Sequence, residues 1–320
     1  MKFMSNPTIE PTRPQGGRFR GIISALLTPL DRQDRVNQEA LCQIVEKTLA
    51  LGVDGFYLCG STGEGFHLSP QERRDVVETA IRAISGRAFT MVNVSHLDLR
   101  EMRALSDHAA QTGADAISSL PPLYYPYSAS EICDYFSSIL RASPLPMSLY
   151  HIPQLSHISM DEDSIRRLAE FPSFIGVKFA SEDFDLLNRY KAICGEGRVI
   201  WSARDVYYLS GLAMGAGGAI GSSFVFLGDF FKAITEAFWR GESDRALRLQ
   251  EAANELHRGF SRFGSYQSYK RALELSGIEA GLCRRPFRRL PKEADTHLSN
   301  TLALLQQRRN ELLPTFKATS

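Results

Sequence analysis

The sequence predicts an α/β fold, a (β/α)8 TIM barrel with additional C-terminal helices. Short apolar runs rich in β-branched residues alternate with longer amphipathic segments, and eight such pairs occupy about 220 residues before the alternation stops. Parallel strands need a crossover that is usually a helix, so this alternation indicates a parallel sheet. Eight units favour a closed barrel. An open doubly wound sheet is the alternative, although the first strand leads into "TPLDRQ" and not into a glycine-rich phosphate loop.

The elements follow one another in a regular order. The predicted strands cover 21–29, 55–60, 89–94, 115–122, 147–153, 174–180, 198–202 and 218–223. The predicted helices cover 37–52, 69–86, 98–112, 129–141, 161–170, 183–194, 205–215 and 229–240. Three helix starts combine a serine cap with a glutamate three residues later: Ser69 with Glu72, Ser128 with Glu131, and Ser159 with Glu162.

Beyond the eighth unit the sequence predicts helices that pack against the barrel. A helical apolar stripe runs through 243–263, formed by Leu249, Ala253, Leu256, Phe260 and Phe263, and a second helix is predicted over 266–276. We therefore expect a disordered N-terminal arm over 1–19, a barrel over 20–241 and a helical extension over 242–312, with a loose tail after about 310.

Composition excludes several classes of protein. Apolar residues make up 43% of the 320 residues and the formal net charge is +1, so no global charge attracts nucleic acid or an anionic membrane. The basic run "RRPFRRLP" near the C-terminus is interpreted as a solvated surface turn. Apolar runs stay shorter than the ~18 residues of a membrane span, and the polar N-terminus lacks the apolar core of a signal peptide.

Cysteine and histidine usage points to a reduced compartment and to no metal site. The five cysteines are odd in number and form no C-x-x-C pair, and the seven histidines show no H-E-x-x-H pattern. We expect free thiols, a cytoplasmic location and no metal or cofactor.

Lys178 is the first candidate for chemistry, because it lies within the apolar run "FIGVKFAS" near the end of the sixth strand. Barrel enzymes place their working residues at the carboxyl ends of strands. Burial lowers the pKa of an amine, and a neutral amine attacks a ketone to form a Schiff base. The alternative is a strand-edge lysine whose stem is buried while its head reaches water.

The run "CGSTGEGF" follows the second strand and offers groups that hold a carboxylate. Its glycines permit a tight loop, and Ser61 and Thr62 supply hydroxyl and backbone N–H groups. An ordinary strand-to-helix turn is the alternative, since glycine and serine are common there. Glu64 is expected to order this loop.

Tyrosines end two other strands. Tyr150 at the fifth strand is either a proton carrier or a core aromatic, while His151 points to the opposite face and is interpreted as structural. Tyr124 and Tyr125 follow the fourth strand, and at least one of them is expected to serve packing or an interface.

Asp205 and Ser222 end strands seven and eight. Each is interpreted either as a cap of the following helix or as a binder of substrate hydroxyls.

Together these motifs resemble one family. "GSTGEGF", "YHIP" and "GVKF" stand in the order and at the spacing of the pyruvate-dependent class I aldolases, the superfamily of dihydrodipicolinate synthase and N-acetylneuraminate lyase. The resemblance runs from about Arg20 to Pro291. "ALLTPLD", "PLYYPYS", "GAGGAIGSS" and "LCRRPF" are most similar to the N-acetylneuraminate lyase branch.

The resemblance implies a carbon–carbon lyase that needs no metal or cofactor and acts on pyruvate and an aldehyde. It assigns the imine to Lys178 and the proton relay to Tyr150, with Tyr125 supporting that relay from its own or a neighbouring subunit. It assigns the pyruvate carboxylate to Ser61 and Thr62, and the sugar chain to Asp205 and Ser222. It also implies a homo-oligomer, a tetramer by analogy.

The chain departs from both branches at the aldehyde end. Leu155 stands where dihydrodipicolinate synthase has an arginine that receives an acidic aldehyde, so lysine synthesis is disfavoured. Val206 and Ala180 replace a carboxylate and a hydroxyl that are usual in the lyase branch. Arg204 is interpreted as a solvent-facing residue, with contact to an anionic tail of the substrate as the alternative.

These departures leave alternatives open. They are another pyruvate aldolase, a hydratase or a dehydratase of sugar acids, dihydrodipicolinate synthase itself, and a barrel without catalysis that serves as a scaffold.

Overall fold

The computed structural model describes residues 17–313 and places eight parallel strands in one closed barrel. The strands are β1 (Gly21–Ala25), β2 (Gly55–Leu58), β3 (Phe89–Asn93), β4 (Ala116–Ser119), β5 (Met147–His151), β6 (Phe174–Phe179), β7 (Val199–Ser202) and β8 (Gly218–Gly221). Each strand pairs with the next in the chain, and β1 pairs with β8, so no edge is left open. The predicted (β/α)8 barrel is confirmed.

Helices connect the strands on the outside of the barrel. They are α1 (Gln38–Leu49), α2 (Pro70–Ile84), α3 (Leu99–Thr112), α4 (Ala129–Ala142), α5 (Pro153–Ser156), α6 (Glu162–Ala169), α7 (Phe184–Cys194), α8 (Tyr208–Ala213) and α9 (Phe224–Trp239). The capping boxes predicted at Ser69 and Ser128 are present. The cap predicted at Ser159 is wrong: Asp161 caps α6, because its carboxylate lies next to the helix and accepts a hydrogen bond from the Ser164 amide at 2.7 Å.

Two helices differ from their predicted bounds. The predicted helix over 205–215 is a 3-10 turn (Asp205–Tyr207) followed by the short α8, because side chains of the C-terminal extension bind the carbonyls of Asp205 and Val206. Helix α9 begins five residues before the predicted start, since its apolar first turns are buried between the barrel and the extension.

The extension contains α10 (Ser243–Ser261), α11 (Ser265–Leu275) and α12 (Ala294–Leu312). Leu249, Ala253, Leu256 and Phe260 are buried as predicted, whereas Phe263 is half-buried against His297. Helix α12 lies within the predicted helical extension over 242–312, but the sequence did not identify it as a separate helix. The arm expected over 1–19 lies outside the described residues except for 17–19, and so does the end of the expected loose tail.

One arginine of the basic run near the C-terminus is held by ion pairs and a hydrogen bond. Arg284 forms ion pairs with Glu72 and Asp34 and donates to the carbonyl of His67. Its side chain is only 14% exposed, so this arginine is not the solvated residue that the sequence suggested.

Three findings concern the cysteines, membrane-spanning helices and metal ligands. The five cysteines are unpaired. Within residues 17–313, no helix combines the length and apolarity that crossing a membrane requires. In the same part of the chain, no three His, Cys, Asp or Glu residues are grouped so as to hold a metal ion.

Candidate active site

Lys178 is buried inside the barrel at the carboxyl end of β6. Its side chain is 4% exposed, and its Nζ lies 3.8 Å from the ring centre of Tyr57 and 3.9 Å from that of Tyr150. Burial lowers the pKa of its amine from 10.5 to about 7, and the negative charge of Asp205 opposes this effect only in part. At neutral pH about half of the amine is therefore unprotonated and nucleophilic.

Tyr150 lies next to Lys178 on the neighbouring strand. The two residues are register partners in the β5–β6 pair, and their side chains enter the same interior. Burial, together with the nearby Tyr57, raises the pKa of the Tyr150 hydroxyl well above its usual value. The phenol therefore keeps its proton until a positive charge forms beside it.

Tyr57 completes this cluster and was not identified from the sequence. It is fully buried on β2, and its hydroxyl lies 3.1 Å from Ser118 Oγ and accepts a hydrogen bond from Asn93 Nδ2 at 2.9 Å. Burial raises its pKa to about 12, so it stays neutral. The sequence offered one signal for Tyr57, which is the presence of a phenol within the otherwise apolar run "GFYL".

The loop after β2 depends on glycine because it approaches other groups closely. A Cβ atom at Gly60 would lie 2.5 Å from the Tyr57 ring, and one at Gly65 would lie 1.9 Å from the Cys59 carbonyl oxygen. Cys59 and Glu64 adopt positive φ values of 54°, a strained backbone that the surroundings must hold in place.

Glu64 fastens this loop to the C-terminal extension. Its carboxylate is buried, forms an ion pair with Lys270 at 2.6 Å and accepts the Arg284 amide at 2.8 Å. These contacts agree with the ordering role expected for Glu64. The loop residues Ser61 and Thr62 are thereby held at the mouth of the barrel.

A cavity of about 570 Å³ opens above Lys178. Its wall includes six of the seven predicted site residues: Lys178, Tyr150, Ser61, Thr62, Asp205 and Ser222. It also includes polar residues that the sequence did not indicate, which are Gln154 and, from the extension, His257, Ser265, Tyr266 and Gln267. No local pattern marks the latter four, because they reach the cavity only through the packing of α10 and α11 on the barrel.

Tyr125 is the predicted site residue that the structure does not bring to the cavity of its own chain. It is 62% exposed and packs edge-to-face with Tyr124 and Tyr127. Strand β4 ends at Ser119, and the following segment carries these rings over the surface. His151, by contrast, is fully buried and stacks on Phe179, as expected for a structural residue.

Asp205 already has partners within the protein. Its Oδ2 accepts hydrogen bonds from the amide of Ser223 at 3.0 Å and from its hydroxyl at 2.5 Å. Gln250 donates to the Asp205 carbonyl. The carboxylate therefore retains only part of its capacity for a substrate hydroxyl.

The outer wall of the cavity is partly apolar. The departures noted in the sequence, Leu155, Ala180 and Val206, line it together with Ala203. Arg204 also lines it but forms an ion pair with Glu182, so its charge is compensated rather than simply solvated.

The fold and this site define the class of protein. A parallel barrel with a desolvated lysine beside a buried tyrosine, at the carboxyl end of the strands, is the arrangement of lysine-dependent aldolases, which are carbon–carbon lyases.

Comparison with known proteins gives the family. The profile of the dihydrodipicolinate synthetase family matches residues 18–305. The N-acetylneuraminate lyase of Rhizobium meliloti (strain 1021) is 34% identical over 279 residues, which cover 87% of this chain and 92% of that protein. The chain belongs to the dihydrodipicolinate synthetase family, and the predicted resemblance is confirmed.

Solved structures agree with this assignment. The N-acetylneuraminate lyase from Fusobacterium nucleatum has a TM-score of 0.86 at 32% identity, with 90% of this chain and 99% of that chain covered. The Ruminococcus gnavus sialic acid aldolase has a TM-score of 0.89 at 25% identity, with 92% and 100% covered.

Proposed function

We propose that this protein is a Schiff-base aldolase that cleaves a 2-keto-4-hydroxy acid of the N-acetylneuraminate type to pyruvate and an aldehyde, or catalyses the reverse condensation. The observation that carries this proposal is the burial of Lys178 between two aromatic rings, which keeps its amine partly neutral. The relatives named as N-acetylneuraminate lyases support the choice of substrate class.

Lys178 begins the reaction as a nucleophile. Its neutral amine adds to the C2 carbonyl of the substrate. The Tyr150 phenol gives its proton to the departing C2 hydroxyl, so water leaves and a protonated imine remains beside a phenolate. The faces of Tyr57 and Tyr150, less than 4 Å from Nζ, stabilise the positive charge that the iminium now carries. This charge draws electrons from the C3–C4 bond.

Tyr150 moves the proton. Its phenol is held neutral by burial in the free enzyme, but the iminium beside it lowers the cost of the phenolate. The phenolate accepts the proton of the C4 hydroxyl as the C3–C4 bond breaks, releasing the aldehyde and leaving an enamine. Protonation at C3 and hydrolysis of the imine then return pyruvate and the free amine.

Ser61 and Thr62 hold the carboxylate of the substrate. Both line the cavity on the loop that Glu64 fastens, so their position relative to Lys178 is constrained. Hydroxyl and N–H donors suit a carboxylate, and charge-assisted hydrogen bonds of this kind are the stronger ones. Asp205 and Ser222 are assigned to the hydroxylated chain of the substrate.

Other reactions on the same site are the alternatives. Leu155, which lines the cavity, offers no cation to an acidic aldehyde, and this disfavours dihydrodipicolinate synthase. The apolar Ala180 and Val206 favour a substrate with fewer hydroxyls, as in another pyruvate aldolase, a hydratase or a dehydratase. A non-catalytic scaffold has no need for a buried, uncompensated amine.

Two experiments separate these functions. Borohydride treatment with pyruvate is expected to leave a pyruvate-derived mass adduct on Lys178 in the parent and in Lys292→Ala, an exposed-site control, but not in Lys178→Ala. Absence of the adduct in the parent supports the scaffold. A panel of 2-keto acids, read by pyruvate release, then identifies the substrate; cleavage of short keto acids only, and not of N-acetylneuraminate, overturns the proposed class.

We also propose that the protein is a homo-oligomer, a tetramer by analogy with its family. The support is the cluster of exposed aromatic rings at Tyr124, Tyr125 and Tyr127, which are 88%, 62% and 37% exposed in the single chain. In this arrangement Tyr125 would support the Tyr150 relay of a neighbouring subunit. Light scattering of the parent and of Tyr125→Ser, together with their activities, tests this, and a fully active monomer contradicts it.

A further inference from the structure

His257 brings an imidazole to the cavity from outside the barrel. It lies on α10, in the C-terminal extension, and its side chain is 22% exposed. It lines the same cavity as Lys178. Asp205 and Val206 also line this cavity, and their turn is held by hydrogen bonds to its backbone carbonyls. This part of the wall is the part that the imine chemistry proposed above does not use.

The hydrogen bonding of His257 leaves one ring nitrogen for a ligand. Nδ1 lies 3.3 Å from the hydroxyl of Tyr269 and 4.0 Å from Asp205 Oδ2. Tyr269 is fully buried, so the exposed part of the imidazole is the edge that faces away from it and carries Nε2. Burial raises the pKa of the Tyr269 hydroxyl, which therefore stays protonated and is able to donate to Nδ1. With Tyr269 as the donor, Nδ1 is the acceptor and Nε2 carries the hydrogen.

The neighbouring groups indicate what Nε2 contacts. Asp205 is committed to Ser223, and Val206 and Ala203 supply no polar atom from their side chains. The nearby arginine, Arg204, is paired with Glu182. An N–H donor beside the Asp205 carboxylate, whose negative charge disfavours a second anion, suits a neutral hydroxyl rather than an acidic group.

We infer that His257 is a specificity-determining residue that donates a hydrogen bond to a hydroxyl on the polyhydroxylated chain of the substrate. The inference rests on the proposed function and extends it: the aldehyde released is a neutral polyol, held on its distal side by the C-terminal extension. His257 does not take part in imine formation.

The test compares two substrates in matched variants. One substrate is N-acetylneuraminate, or whichever polyhydroxylated 2-keto acid the panel identifies, and the other is a 2-keto-4-hydroxy acid with a methyl group in place of the polyol chain. His257→Leu is expected to lower kcat/KM about tenfold for the long substrate, mainly through KM, and to change the short one less than twofold. His257→Gln keeps a donor and is expected to recover most of the loss. His108→Gln, on α3 outside the barrel, is the control.

The outcomes distinguish this inference from the proposed function. Equal losses on both substrates, or no loss on the long one, overturn the role of His257 while the pyruvate adduct on Lys178 still forms. If only short keto acids are turned over and no polyhydroxylated substrate is cleaved, the role of His257 is overturned as well. If the pyruvate adduct does not form in the parent enzyme, the proposed function is overturned, and the role of His257 is overturned with it.

Discussion

Replacing Lys178 by methionine is expected to abolish imine formation and to stabilise the fold by an amount that depends on pH. The side chain is 4% exposed, and burial lowers the pKa of its amine from 10.5 to about 7. Methionine has a similar length and an adaptable apolar chain, so it fills the same space without a proton to lose.

The magnitude follows from these two pKa values. Between about pH 7 and 10.5 the unfolded chain binds a proton that the folded chain has released, so folding stability rises with pH across this window. Each pH unit is worth about 1.4 kcal/mol, so at pH 7 the buried lysine costs up to roughly 4–5 kcal/mol compared with pH 10.5. The methionine variant does not carry this cost.

Urea unfolding at pH 7 and pH 10 measures the difference. The Lys178→Met variant should be more stable than the parent by several kcal/mol at pH 7, and most of this gain should vanish at pH 10. Lys292→Met, at an exposed position, is the control and should show the same difference at both pH values. An equal gain at both pH values, or a loss at pH 7, would refute the argument that burial makes this amine neutral.

Three further predictions concern the same site. The rate of borohydride trapping with pyruvate should rise with pH through an apparent pKa of about 7, because the neutral amine of Lys178 is the reactive form; a flat profile from pH 6 to 9 contradicts this. Tyr150→Phe should lower kcat by about 10²–10⁴-fold while the pyruvate adduct still forms, and a loss of less than tenfold removes Tyr150 from the proton transfer. Glu64→Gln should destabilise the fold by about 3–5 kcal/mol, since Lys270 is left buried without its counterion; thermal unfolding measures it, and an unchanged Tm shows that the pair contributes nothing.

Local patterns were sufficient to predict the barrel. The alternation of apolar runs and amphipathic segments repeats eight times, and each strand–helix unit is specified within about 30 residues. The caps at Ser69 and Ser128 were visible because a capping box needs only four consecutive residues. The cap at Ser159 was misplaced because a nearer acceptor, Asp161, competes for the same amides.

The site was only partly predictable. Lys178 was identified by the contrast between a cation and its apolar neighbours in sequence, and burial of that strand follows from the fold class. The ring of Tyr57 beneath it comes from another strand, and His257 comes from a helix beyond the barrel. The run "GFYL" marks the phenol of Tyr57 but not its contact with Lys178, and nothing local marks the approach of His257 to the cavity. Both contacts arise from the closure of the sheet and the docking of the extension.

The amino-acid order by itself determined the parallel barrel, the lysine at the end of its sixth strand and the serine–threonine loop after its second, because each depends on residues that are close along the chain. Tertiary structure alone decided that Tyr125 lies outside the cavity of its own chain, that Asp205 is bound to Ser223, and that α10 and α11 complete the outer wall. These facts depend on contacts between distant segments, whose geometry is set by packing and not by any periodic pattern.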